Sequence, residues 1–140
     1  MDCLFCKIAN KEIPALVVYE DDAALGILDA HPRAPGHTMV IPKIHAENIL
    51  DLHEESVGPL FRAVKETTAL LQRALAPDGF TLGINHGKVS GQSIDHLHIH
   101  ILPRWSADGG GSIHSVVSNP PRETLEEIRD KIVGGRSNKK

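Results

Sequence analysis

The chain predicts an α+β fold, a mostly antiparallel five-stranded sheet with one long helix and a short C-terminal helix. Three observations carry that reading. Five short apolar or alternating segments are set apart by Pro, Gly and acidic turn residues. One longer stretch repeats its apolar residues at helical spacing instead. The helical patterns are segregated from the strand patterns, and no internal repeat is present. At 140 residues a single domain is long enough to bury a real core.

Residues 1–12 are expected to form a short helical turn carrying Cys3, Phe5, Cys6 and Ile8, ended by Pro14. Leu16 to Tyr19 reads as the first strand, and Glu20-Asp21-Asp22 as the turn into the second, at 23–29. His31 to Gly36 holds Pro32, Pro35 and Gly36 and reads as a loop. His37 to Ile41 is a third strand, stopped by Pro42. The clearest helix spans 54–76, where Val57, Leu60, Phe61, Val64, Thr68, Leu71 and Leu75 share one face. Pro59 falls in its first turns, where proline is tolerated, and Pro77-Asp78-Gly79 ends it. Phe80 to Asn85 is a fourth strand, and 86–93 a glycine-containing loop. The fifth strand, 96–102, ends at Pro103. The glycine run Asp108–Ser112 should be mobile, and a last helix is expected from about Pro121, with Leu125, Ile128 and Ile132 on one side. The expected organisation is a core over 1–104 and an extension, 105–140, packed on the same domain.

Composition narrows the function classes. The hydrophobic fraction of 41% and charged fraction of 24% are those of an ordinary soluble globule. Net charge is −3, and the only basic cluster is the terminal Lys139-Lys140, which disfavours tight binding to long nucleic acid but leaves a small nucleotide open. No apolar run approaches the ~20 residues of a membrane span. No basic segment leads into an apolar stretch at the start, so a cytoplasmic location is expected. The two cysteines, Cys3 and Cys6, form a Cys-x-x-Cys. In a reducing compartment that spacing points to metal or redox work rather than a structural disulfide. A thioredoxin-like site follows a strand and opens a helix, which this position fits poorly.

Residues 96–102 read His-Leu-His-Ile-His-Ile-Leu. In an extended strand, alternate side chains share a face, so His96, His98 and His100 line one side while Leu97, Ile99 and Ile101 are buried on the other. Imidazole serves as nucleophile, acid, base or metal ligand near neutral pH. Two readings follow: a metal held by several of the three histidines, or nucleophilic catalysis by one of them. The loop just ahead, Gly91-Gln92-Ser93, supplies donor side chains and glycine-permitted backbone N–H groups, which suits a phosphate.

Here the chain resembles the histidine triad (HIT) superfamily of nucleotide hydrolases and transferases, in its zinc-binding bacterial branch. The signature His-φ-His-φ-His-φ-φ, with φ apolar, is matched at every position of 96–102. Phe5-Cys6-Lys7-Ile8, Lys11-Glu12-Ile13-Pro14, Tyr19-Glu20-Asp21, Leu28-Asp29, Gly36-His37-Thr38, Val40-Ile41-Pro42-Lys43, Asn85 and Gly91-Gln92-Ser93 are similar to the family's other blocks. The resemblance covers roughly residues 3–104.

The resemblance implies an enzyme in which His98 attacks the α-phosphorus of a nucleoside 5′-phosphate derivative, AMP-like or GMP-like, and water then hydrolyses the nucleotidyl-histidine. It implies that His100 and His37 face the non-bridging oxygens and that Ser93 donates to the phosphate or leaving group. Gln92 and Asn85 would stand on the phosphate side, Asp29 would take the ribose hydroxyls, and Phe5, Ile8, Ile27 and Leu28 would form the base pocket. It implies a structural zinc on Cys3, Cys6, His45 and His96. Spacing by itself supports only the cysteine pair; the two histidines come from the resemblance. His31, His53, His86 and His114 match no catalytic position and read as surface residues. A homodimer is implied, with no membrane partner. Purine nucleoside 5′-phosphoramidate hydrolysis is the expected activity; a dinucleoside polyphosphate hydrolase, a slow nucleotide-binding regulatory module and a metalloenzyme using all three triad histidines are the alternatives. The segment after Arg104 departs most from the family's pattern.

Overall fold

A computed structural model describes residues 2–136; the Lys139-Lys140 pair lies outside the described residues. Two compact units are defined, Met1–Gly110 and Gly111–Lys140. The first contains α1 (Leu4–Ala9), β1 (Val17–Glu20), β2 (Ala24–Leu28), β3 (Thr38–Pro42), α2 (Glu54–Leu75), β4 (Gly79–Gly83) and β5 (Ile99–Arg104). The second holds a 3-10 turn at Ile113–Ser115 and α3 (Leu125–Arg136). The five strands form one sheet in the order β1-β2-β3-β5-β4, every neighbouring pair antiparallel.

The inner strands β2 and β3 are buried on both faces, which is why they read as unbroken apolar runs rather than as alternating ones. On one face Leu60, Ala63, Val64 and Leu71 of α2 pack on Ala24, Val40, Leu97, Ile99 and Ile101. On the other, Phe5 and Ile8 of α1 pack on Leu25, Ile27, Met39 and Ile41. Leu97 ahead of β5 and Ile99 and Ile101 within it point at α2, so His98 and His100 emerge on the α1 side.

The long helix differs from its predicted face. Phe61 and Leu75 are 41% and 40% exposed, and Thr67, not Thr68, is fully buried. The buried stripe is Leu60, Ala63, Val64, Thr67 and Leu71, a narrower seam than the apolar pattern suggested. Phe61 instead lines a shallow groove with Phe80 and Leu82 of β4. Pro59 sits within α2, but it is exposed, so the carbonyl it leaves unbonded can take water. The helix ends at Ala76, in the left-handed region at φ 48°, with Pro77 following.

The fifth strand does not stop at Pro103, which pairs with Phe80. Arg104 accepts from the Asp78 N–H on the β4 side, so Pro103 turns its missing donor to the β3 side, where that ladder has already ended at Ile101. The glycine run, expected to be mobile, is anchored as far as Gly110. Asp108 takes Arg104 Nε and Nη2 at 2.7 and 3.0 Å and accepts the Trp105 and Gly110 N–H groups. α3 begins at Leu125 rather than Pro121, and Leu125 and Ile132 are exposed. Among the described residues no helix is long and apolar enough to cross a membrane.

Candidate active site and metal centre

The three histidines share a ridge but not an environment; the strand expected from 96 begins only at Ile99, so His100 lies in β5 while His96 and His98 stand in the segment just ahead of it. His98 places Nδ1 2.7 Å from its neighbour's carbonyl, that of His96. A carbonyl only accepts, so Nδ1 carries the proton and Nε2 keeps its lone pair. His96 places Nε2 2.9 Å from the Pro42 carbonyl, so its proton is there and its lone pair is on Nδ1. His100 sets Nδ1 2.9 Å from His37 Nε2. Burial holds His96 at about 4 and, with His98 and His37 nearby, holds His100 at about 4. Burial also lowers His37. His37, His96 and His100 are therefore neutral imidazoles near pH 7.

His37 comes from the residue just before β3 and is fixed from two sides. The Arg33 N–H donates to its Nδ1 at 3.1 Å. Its Nε2 lies 3.4 Å from Asp29 Oδ2, and the other Asp29 oxygen accepts the His31 N–H at 2.8 Å.

A cavity of about 910 Å³ opens over His98 and His100. Phe5, Ile8, Leu16, Ile27, Leu28 and Met39 make its apolar part; Asp29, Asn85 and Ser93 add polar groups. Phe5 is buried and stands edge-on to His96 and His98, with ring centroids 5.8 and 5.2 Å apart. His31 also lines the cavity, although its sequence context marked it only as a surface histidine. The available signal was its place two residues beyond Asp29, within the same turn. Gln92 is buried and does not line this cavity. Its Oε1 accepts the Gly87 N–H at 2.8 Å, and its Nε2 donates to the Glu47 and Ile94 carbonyls at 2.7 and 3.1 Å. The amide thus ties the 86–94 loop to the segment that carries His45.

The structure also brings together Cys3, Cys6, His45 and His96, with their donor atoms within 4.8 Å of one another. Cys3 caps α1, its sulfur accepting the Cys6 N–H at 3.4 Å. The Leu97 N–H donates to the Ala46 carbonyl at 2.7 Å and holds the His45 segment against the triad. Cys3 Sγ and Cys6 Sγ lie 3.3 and 3.6 Å from His96 Nδ1, Cys6 Sγ 3.3 Å and His96 Nδ1 3.2 Å from His45 Nδ1. The edges of a tetrahedron with Zn–S and Zn–N bonds of ordinary length are roughly 3.3–3.8 Å. The donor set fits zinc, and His96 offers the lone pair because its other nitrogen is spent on Pro42. Burial and the Cys3 thiol push the Cys6 thiol up to about 11, an effect a coordinated divalent cation reverses by deprotonating it.

A second close group, Asp29, His37 and His100, has the residue types of a metal site and the wrong polarity. To give a metal its Nε2 lone pair, His37 would need its proton on Nδ1, facing the Arg33 N–H. Donor would meet donor.

Residues 10–107 match the HIT domain. An uncharacterised HIT-like protein of Methanocaldococcus jannaschii is 42% identical over 128 residues, 91% of this chain and 98% of that one. An adenosine 5′-monophosphoramidase of Schizosaccharomyces pombe is 36% identical over 136 residues, 94% of this chain and 99% of that one. An adenylylsulfatase of Arabidopsis thaliana is 40% identical over 107 residues, 76% of this chain and 54% of its own length. Among solved structures, a HIT family protein of Bacillus anthracis superposes with a TM-score of 0.86 at 32% identity, over 99% of this chain and 98% of that one. A zinc-bound histidine triad family protein of Mycobacterium smegmatis gives 0.72 at 31% identity, over 98% and 97%. The chain belongs to the HIT family and has its α+β fold.

Proposed function

We propose that this chain is a nucleotide hydrolase that works through a nucleotidyl-histidine on His98, with a purine nucleoside 5′-phosphoramidate as substrate. One observation carries the reading: the His98 Nδ1–H bond to the His96 carbonyl, which leaves Nε2 unprotonated on a ring that lines the cavity. The Nε2 lone pair attacks the α-phosphorus, and the bond from phosphorus to the leaving nitrogen breaks as that nitrogen takes a proton from the Ser93 side of the cavity and departs as an amine. Positive charge then develops on the ring, where the Nδ1–H···O=C bond stabilises it. Water attacks the same phosphorus, gives up a proton to solvent, and His98 departs as a neutral imidazole.

The rest of the cavity has the matching chemistry. The apolar slot of Phe5, Ile8, Ile27 and Leu28 suits a purine without sharp base discrimination. Asp29 supplies the carboxylate for ribose hydroxyls, and Asn85, Ser93 and His100 line the phosphate end. Gln92 supports the loop rather than the ligand. Zinc on Cys3, Cys6, His45 and His96 would pin the N-terminus to the triad and take no part in bond making; four protein ligands close its coordination. The unpaired edge of β4, beside exposed Phe61 and Leu82, supports a homodimer formed there.

A substrate panel tests the reading. Adenosine and guanosine phosphoramidates, adenosine 5′-phosphosulfate and a dinucleoside polyphosphate are compared on wild type and His98→Ala. Phosphoramidate turnover with burst labelling of wild type only is expected. A mutant that still forms a covalent nucleotide adduct would refute it.

A further inference from the structure

We propose that His37 and His100 form a hydrogen-bond chain of fixed polarity, closed at its far end by the peptide N–H of Arg33. His100 then presents an N–H to the cavity throughout the reaction, and no proton passes along the chain. His37 is a positioning residue here: it acts on the reacting atoms only through His100. The catalytic meaning of the chain rests on the proposed nucleotidyl transfer, but the polarity itself does not.

Two independent contacts set the direction. The Arg33 N–H lies 3.1 Å from His37 Nδ1, so that nitrogen accepts. The Asp29 carboxylate lies 3.4 Å from His37 Nε2, so that nitrogen holds the proton. Reversing the chain would set N–H against N–H at one end and a lone pair against a carboxylate at the other. The first mismatch leaves a buried donor unpaired and the second sets a lone pair beside a carboxylate charge, which together disfavour the reversed form by about a hundredfold or more. Since His37 Nε2 donates to His100 Nδ1 at 2.9 Å, the nitrogen that His100 has left for the cavity is Nε2, and it carries the proton.

The same geometry rules out a relay. If His100 gave its Nε2 proton to a leaving group, Nδ1 could take the proton of His37. His37 could refill only through Nδ1, where it meets a peptide N–H instead of an acid. Asp29 sits on Nε2 and competes for that single proton without supplying another. The His37–His100 pair is therefore a rigid donor to a phosphate oxygen. The departing nitrogen takes its proton from the exposed side of the cavity, where Ser93 stands.

The test reads tautomers directly. In the full ¹⁵N-labelled chain, long-range ¹H–¹⁵N correlation at pH 7 should show neutral His37 and His100, both protonated on Nε2. A proton on Nδ1 of either ring, or rapid exchange between the two forms, overturns the proposal. This needs no variant and no substrate, so it stands apart from the substrate panel: a chain that turned over no nucleotide would sink the proposed function and leave the polarity to be judged by its own spectrum. A second arm compares His37→Gln with His37→Ala on the phosphoramidate. Glutamine can accept from Arg33 through its oxygen and donate to His100 through its amide, yet it cannot shuttle a proton. His37→Gln is expected to turn over at least about tenfold faster than His37→Ala. Equal losses would mean that the ring's titration matters, and the fixed chain would be wrong.

Discussion

Two groups of metal-binding residue types sit near His98, and they differ in what the far nitrogen of one histidine faces. In the Cys3, Cys6, His45 and His96 corner, His96 Nε2 faces a carbonyl, that of Pro42, so Nδ1 is free to coordinate. In the Asp29, His37 and His100 group, His37 Nδ1 faces a peptide N–H, so Nε2 is committed as a donor. Proximity of ligand atoms is the same kind of fact in both. The partner behind the ring decides whether it holds a cation or orients another imidazole. His98 lies between the two, its proton on the same kind of carbonyl as that of His96, but its lone pair faces an open cavity instead of a pair of thiols.

The strongest way to break this comparison is His98→Ala. Turnover should fall by at least ~10³-fold, since only binding and charge stabilisation remain, while zinc content stays at the wild-type level. Zinc lost from that mutant, as read by elemental analysis, would merge the two clusters into one. Next in size is Cys3→Ser. It should release the zinc and lower stability by about 2–4 kcal/mol, a Tm drop of roughly 10 °C, with catalysis in the folded fraction changed far less. A mutant that keeps its Tm and loses all turnover would move the metal into the chemistry.

A pH series sharpens the catalytic side. His100 titrates near 6.5 when unfolded and is held at about 4 in the fold by burial, with His98 and His37 adding to the shift and Asp29 opposing it. Between those values the unfolded chain binds more protons, so this contribution is complete above about pH 6.5 and is lost as pH falls toward 4. Denaturant midpoints should drop over that window, and drop less in His100→Gln. An unchanged slope would place the titration elsewhere. The smallest effect concerns Thr67, whose buried hydroxyl has no hydrogen-bond partner. Thr67→Val removes that unmet oxygen at nearly constant shape, so stability should rise by about 0.5–1 kcal/mol. A loss instead would mean that the hydroxyl is bonded in solution.

Much of the sheet and the histidine ridge was legible because period-two alternation is local information. The helix stripe was legible only in part. Phe61 and Leu75 obey the same apolar pattern as Leu60 and Leu71, and what separates them is the tertiary surface they meet. The cysteine pair announced itself by spacing, but His45 and His96 lie 39 and 90 residues from Cys6, a distance no local pattern spans. Tautomers were not legible at all. They depend on the backbone groups of Arg33, Pro42 and His96, and a main-chain N–H or C=O leaves no mark in a sequence. His31 was missed for a similar reason, since a loop residue reaches a cavity only through the path of its turn.

Gly36 limits how this site can diversify. It holds φ 82°, and a β-carbon there would come within 2.4 Å of Leu75 Cδ1 and 3.3 Å of the Pro103 ring. Leu75 is half-exposed and its methyl can swing aside, so the left-handed φ is the firmer constraint: a side chain there is strained, and any backbone relaxation is passed to His37 next door. Relatives or engineered descendants that acquire new leaving-group tastes should therefore vary at His31, Arg33 and Ala34, and keep a bare backbone at 36. A selection library spread evenly across 31–36 would reveal this as tolerance that stops abruptly at one codon.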